Sequence, residues 1–174
     1  RFRFADRTEI SKIRPPQWLI KDFIPKDAFV LMFGAPGSYK TFVALDIALS
    51  IATGSIEITS ERATWQHVKS PGSVLFAAGE GRSGIAKRIQ AWEKLHFQGN
   101  KAQNFFLVDP VPNVTEELSD FIKGAKASSP EGYELVIIDT VSKAMQGVNE
   151  NSQEHASNFT RMVETIQREL GATV

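Results

Sequence analysis

An octapeptide, Gly34-Ala-Pro-Gly37-Ser-Tyr-Lys40-Thr41, stands between an apolar run, Ala28 to Phe33, and a segment with helical periodicity. No other part of the chain constrains the fold as much. Glycines at a strand-to-helix junction let the backbone curl until successive amide N–H groups face one centre. The helix that follows adds the partial positive charge of its N-terminus. A lysine and a hydroxyl residue opening that helix complete a cradle for phosphate groups. Two glycines, a lysine and a Ser or Thr at these offsets arise by accident in under roughly 1% of chains this long. The strict pattern has glycine immediately before the lysine, and this chain has Tyr39. A tyrosine fits there if the local φ suits it and its ring points away from the phosphates.

The rest of the chain repeats the same alternation. Lys40 to Thr53 sets Phe42, Leu45, Leu49 and Ala52 at helical spacing, and Gly54 stops it. Ser73 to Ala78 predicts a second strand, and Gly84 to Leu95 a helix with Ile85, Ile89 and Trp92 on one face. Phe105 to Val108 reads as a third strand, and Thr115 to Ala127 as a helix opened by Thr115 and two glutamates. Leu135 to Ile138 is a fourth strand closed by Asp139. Ser152 to Leu170 is a long amphipathic helix, and Ala172 to Val174 begins a fifth strand. Strand and helix alternating in this way predict a three-layer α-β-α sandwich around a mostly parallel sheet. Residues 1–27 read as a lead-in and 28–174 as the core; within the lead-in, Arg1 to Lys12 reads as an edge strand, a linker or a loosely held terminus. The chain opens at Arg1 without an initiator Met and stops inside a starting strand. It therefore reads as a piece of a longer protein, with the core incomplete at its C-terminal end.

Open parallel sheets bind ligands beyond the C-terminal ends of their strands, so chemistry belongs after the first, second and fourth strands. All three positions carry it. After the first strand, Gly34, Ala35, Pro36, Gly37, Ser38, Tyr39, Lys40, Thr41 and Phe42 form the nucleotide-binding segment. Lys40 would reach the β- and γ-phosphates of ATP, and the Thr41 hydroxyl would ligate Mg²⁺. At the end of the fourth strand Asp139 would hold Mg²⁺ through bound water, opposite Thr41. At the end of the second strand Glu80, in Ala77-Ala-Gly79-Glu80-Gly81, is the candidate for positioning the attacking water. Lys40 and Glu80 are thus the catalytic candidates.

Other features exclude function classes. No apolar run approaches the roughly 20 residues that cross a bilayer. Cysteine is absent, which removes disulfides and thiolate metal sites and fits a reducing cytoplasm. Lys plus Arg equal Asp plus Glu at 20 each, so no global field draws the chain onto nucleic acid. His67, His96 and His155 have no ligand spacing. Lys87, Arg88 and Lys94 read as a solvated face, Ile89 and Trp92 as core.

The order of motifs resembles the RecA-like ATPases of the RepA type, the hexameric replicative helicases of plasmids and phages and related mobile-element ATPases. The resemblance rests on Trp18 to Lys21, GAPGSYKTFVALDIALSIATG, the strand into AAGEG, Lys87-Arg88 with Ala91-Trp92, and IIDTVSKAMQGVNEN before the long helix. It covers roughly Pro15 to Val174. It implies Lys40 and Thr41 at phosphate and Mg²⁺, Glu80 as the catalytic glutamate and Asp139 at the metal. It makes Glu150 and Asn151 candidates for the rim of the site. It also implies a hexameric ring at full length and single-stranded DNA as a partner, bound mostly by segments beyond Val174. In such sheets the strand that starts at Ala172 lies between the phosphate-loop strand and the Asp strand. Three other readings remain open: a regulatory or recombination-type RecA-like ATPase, a P-loop small-molecule kinase, and an inert nucleotide-binding interaction module.

Overall fold

A computed structural model describes residues 4–13, 15–54, 68–79, 81–113, 116–145 and 153–174. Its centre is the strand β3, Val74–Ala78, all five residues of which are buried. β1 (Trp18–Ile20) and β2 (Ile24–Pro25) form a separate antiparallel pair; β4 is Phe105–Val108 and β5 is Leu135–Asp139. The main sheet runs β4-β3-β5, parallel throughout, with Phe76 opposite both Leu107 and Ile137. A parallel pair needs a crossover, and α3 (Arg82–His96) lies between β3 and β4 in the chain and α4 (Leu118–Ser128) between β4 and β5. α2 (Lys40–Thr53) precedes β3, and the short α5 (Val141–Ala144) and α6 (Gln153–Leu170) follow β5.

The period of two along β3 sorts the core into two faces. Val74, Phe76 and Ala78 join a cluster with Leu45, Ile51 and Ile85 of α2 and α3. Leu75 and Ala77 join the opposite cluster with Phe121 of α4 and Val163 and Ile166 of α6. The result is the three-layer α-β-α sandwich expected from the sequence, with a parallel three-stranded sheet flanked by helices. Leu19, Ile20 and Ile24 of the β1–β2 pair are buried in the first cluster, so the lead-in packs on the core.

Helix ends follow local chemistry. α2 stops at Gly54, which adopts φ 75° and donates its N–H to the Ser50 carbonyl. α2 is buried almost all round from Ala44 to Ala52, as suits a helix covered on several sides. α3 and α4 differ by a few residues from their sequence boundaries; α4 begins at Leu118, and Thr115 lies outside the described residues. Residues 7–11 form neither a strand nor a plain linker but a short helix. Asp6 accepts the Glu9 N–H at 2.8 Å and caps the short helix α1, Arg7–Ser11, which buries no residue.

The clearest departure is the first predicted strand. Residues 28–33 carry no assigned strand, and the apolar side chains of Phe29 to Phe33 are exposed, Phe33 to 87%. The backbone partner of this run is Val174, the last residue of the sequence. Thr173 bridges Leu135 in parallel, and Val174 exchanges backbone bonds with residues 28 and 30. The N–H of Val30 donates to the Val174 carbonyl at 2.8 Å, and that of Val174 to the Ala28 carbonyl at 3.1 Å. Thr173 and Val174 thus lie between the phosphate-loop run and β5, in the order the resemblance implies. Past that point a cleft of about 340 Å³ opens between Leu31–Met32 and Ile137–Asp139, with Phe159 and Val163 in its wall.

Candidate functional site

Tyr39 takes φ 61° and ψ 20°, the left-handed conformation that the strict pattern reserves for glycine. An L-residue held there costs about 1–2 kcal/mol. Its ring is 71% exposed and packs edge-on against Phe42, with centroids 5.8 Å apart. The Arg88 guanidinium sits 4.6 Å from the centre of the Phe42 ring. Arg88 is therefore half-buried and engaged, which corrects the reading of it as part of a solvated face; Lys87 and Lys94 are exposed. Gly37, at φ 77°, supplies the second left-handed turn of the loop. Ser38 donates its N–H to the Ala35 carbonyl at 3.2 Å and closes a turn through Pro36.

Lys40 opens α2 and folds back over its own loop. Its ammonium donates to the carbonyls of Gly34 and Ala35, each at 2.9 Å, and approaches Ser38 Oγ at 3.5 Å. Thr41, one residue on, turns the other way. Its hydroxyl donates to Asp139 Oδ2 at 2.7 Å, joining groups 98 residues apart. The loop, the first turn of α2 and the end of β5 thereby form one constellation: a cation, a hydroxyl and a carboxylate at the carboxyl edge of the sheet. The Asp139–Thr140 peptide bond is cis.

The end of β3 abuts this constellation. Gly79 donates its N–H to the Asp139 carbonyl at 2.6 Å. A Cβ on Gly79 would stand 2.8 Å from Lys143 Cγ and 3.0 Å from the Asp139 carbonyl oxygen, so the approach requires glycine. Glu80 itself lies outside the described residues, as do Glu150, Asn151 and His67; its neighbours Gly79 and Gly81 are described. Farther along the edge, Arg82 pairs with Asp109 at 3.4 Å and donates to its carbonyl at 3.1 Å.

Trp92 donates its indole N–H to Asp46 at 2.7 Å and Ile89 packs against the core, so both serve the α2–α3 contact. Among the described residues no group of three or more His, Asp or Glu is placed to hold a metal. A metal here would rest on Thr41 and Asp139, a hydroxyl and a carboxylate. Such oxygen donors, with room for water, suit a small hard cation of the magnesium kind. The Lys143 side chain, four residues past Asp139, crosses Gly79 at this edge, and the glycine leaves the space for it.

Comparison with known families decides what such a site belongs to. The sequence profile of the AAA domain matches residues 1–174, the full span of the chain. The chain belongs to the AAA domain family. No curated protein matches it. Membership makes this AAA domain a nucleotide-binding ATPase domain, in agreement with a lysine and a carboxylate-bonded threonine on a strand-loop-helix junction. Among the described residues no helix is long and apolar enough to cross a membrane.

Proposed function

We propose that this AAA domain is the magnesium-dependent, ATP-hydrolysing core of a motor acting on DNA, of the replicative-helicase type found in plasmids and phages. We further propose that it works as a ring, a hexamer at its natural length. The observation that carries the nucleotide half of the reading is the 2.7 Å bond from Thr41 to Asp139, which brings the two expected metal groups together. The DNA half is supported by the resemblance of motif order.

In this reading the amides from Gly34 to Phe42 take the phosphates. Lys40 exchanges the two carbonyls it now holds for β- and γ-phosphate oxygens. Thr41 and Asp139 hold magnesium, which when bound neutralises charge on the β- and γ-phosphate oxygens. Glu80 accepts a proton from water as the water oxygen bonds to the γ-phosphorus and ADP departs. ATP turnover of the natural-length protein, with and without single-stranded DNA, tests the reading. Stimulation by DNA is expected. Turnover that ignores DNA and requires a small phosphate acceptor would sink the motor in favour of a kinase.

A further inference from the structure

We propose that Lys143 supplies a second cation to the γ-phosphate end of this site, so that the pocket distinguishes a nucleoside triphosphate from a diphosphate. The inference rests on the nucleotide reading above and goes beyond it by naming a residue and a specificity.

Three observations carry it. First, the site has a direction. Lys40 lies at the loop and Thr41 reaches Asp139, so the phosphate chain extends toward the ends of β5 and its neighbour β3. The terminal phosphate therefore meets the edge where Gly79 lies bonded to Asp139. Second, the Lys143 stem crosses that edge. Its Cγ occupies the space a side chain on residue 79 would need. α5 fixes its backbone, the Lys143 N–H donating to the Thr140 carbonyl at 3.1 Å. A lysine whose methylenes already rest on a surface has less rotamer freedom left to lose when its head binds. Third, the head is available. The neighbouring cation, Arg82, is engaged by Asp109. Lys143 is exposed and makes no ion pair or side-chain hydrogen bond among the described residues. An exposed ammonium whose stem lies at the Gly79–Asp139 edge is where an added negative phosphate would gain a charge-assisted contact.

The test measures binding of magnesium complexes of ADP and of ATPγS to wild type, Lys143→Met and Lys143→Arg by titration calorimetry. Methionine keeps an unbranched stem on Gly79 and removes the charge, so the fold should stay intact. Lys143→Met is expected to weaken ATPγS roughly tenfold, the size of one charge-assisted contact, and to leave ADP within about twofold. Lys143→Arg should recover most of the loss. Wild-type affinity for ATPγS in Lys143→Met, or equal losses for both nucleotides, overturns the proposal while leaving the nucleotide site standing. Failure of wild type to bind either nucleotide overturns the phosphate-loop reading and this proposal together.

Discussion

Val74–Ala78 and residues 28–33 are short apolar runs of similar character, and each leads to a functional loop at the same edge of the sheet. The first is buried at every residue. The second leaves all five of its large side chains exposed, Phe29 softened by the Phe159 ring of α6 at 5.6 Å. Hydrophobicity does not separate them; neighbours do. β3 has β4 on one side, β5 on the other and helices above and below. The phosphate-loop run has Val174 beside its first residues and an open cleft beside the rest. The contrast also separates anchoring from chemistry. Asp139 and Gly79 lie at the ends of paired strands, whereas Lys40 follows the loop after residues 28–33.

The largest test of this contrast exchanges matched residues for alanine. Phe76→Ala empties a fully buried position and is expected to cost about 3–5 kcal/mol in denaturant unfolding. Phe33→Ala should stay within about 0.5 kcal/mol. Equal losses would mean that residues 28–33 are packed in solution as β3 is. Next, Lys40→Ala should weaken nucleotide binding about a hundredfold while leaving the melting temperature nearly unchanged, since its bonds are to carbonyls of its own loop. A large drop in melting temperature would show that the loop supports the fold. Third, Gly79→Ala forces a methyl against Lys143 and the Asp139 carbonyl and should cost about 1–3 kcal/mol. Gly37→Ala meets nothing within 4 Å and should lose only the conformational term of a left-handed L-residue, about 1–2 kcal/mol.

The smallest effect concerns the far face. Hydrogen bonds from Lys126 and then Arg168 hold the exposed Glu169 carboxyl below the usual carboxylate range. Its folded pKa is lowered, so its contribution is present above the unfolded carboxylate pKa and is lost as pH falls through the folded value. Acid unfolding of Lys126→Ala should therefore differ slightly from wild type near neutral pH and converge with it at low pH. A difference that persists in strong acid would assign the Lys126 effect to packing of its stem.

Much of this was legible locally. The strands Phe105–Val108 and Leu135–Asp139, the helix Lys40–Thr53 and its glycine stop follow from period, β-branched content and left-handed caps, all of which act within a few residues. Tyr39 was legible as a departure, and the backbone adopts the left-handed turn despite it. The engagement of Arg88 by Phe42 was not legible, because it joins two helices whose relative placement no local pattern encodes. Nor was the crossing of Lys143 over Gly79.

What the sequence by itself determined is a set of local instructions: where the backbone must turn, which runs avoid water, and that a lysine and a threonine open a helix after a glycine loop. These are short-range steric and solvation preferences, carried by each segment alone. Only the tertiary structure decided that Thr41 would meet Asp139, that Gly79 would lie against its carbonyl, and that Arg88 would cover the Phe42 ring. Those outcomes depend on which strands lie side by side, and that order is set by burial summed over the whole sheet and both helical layers.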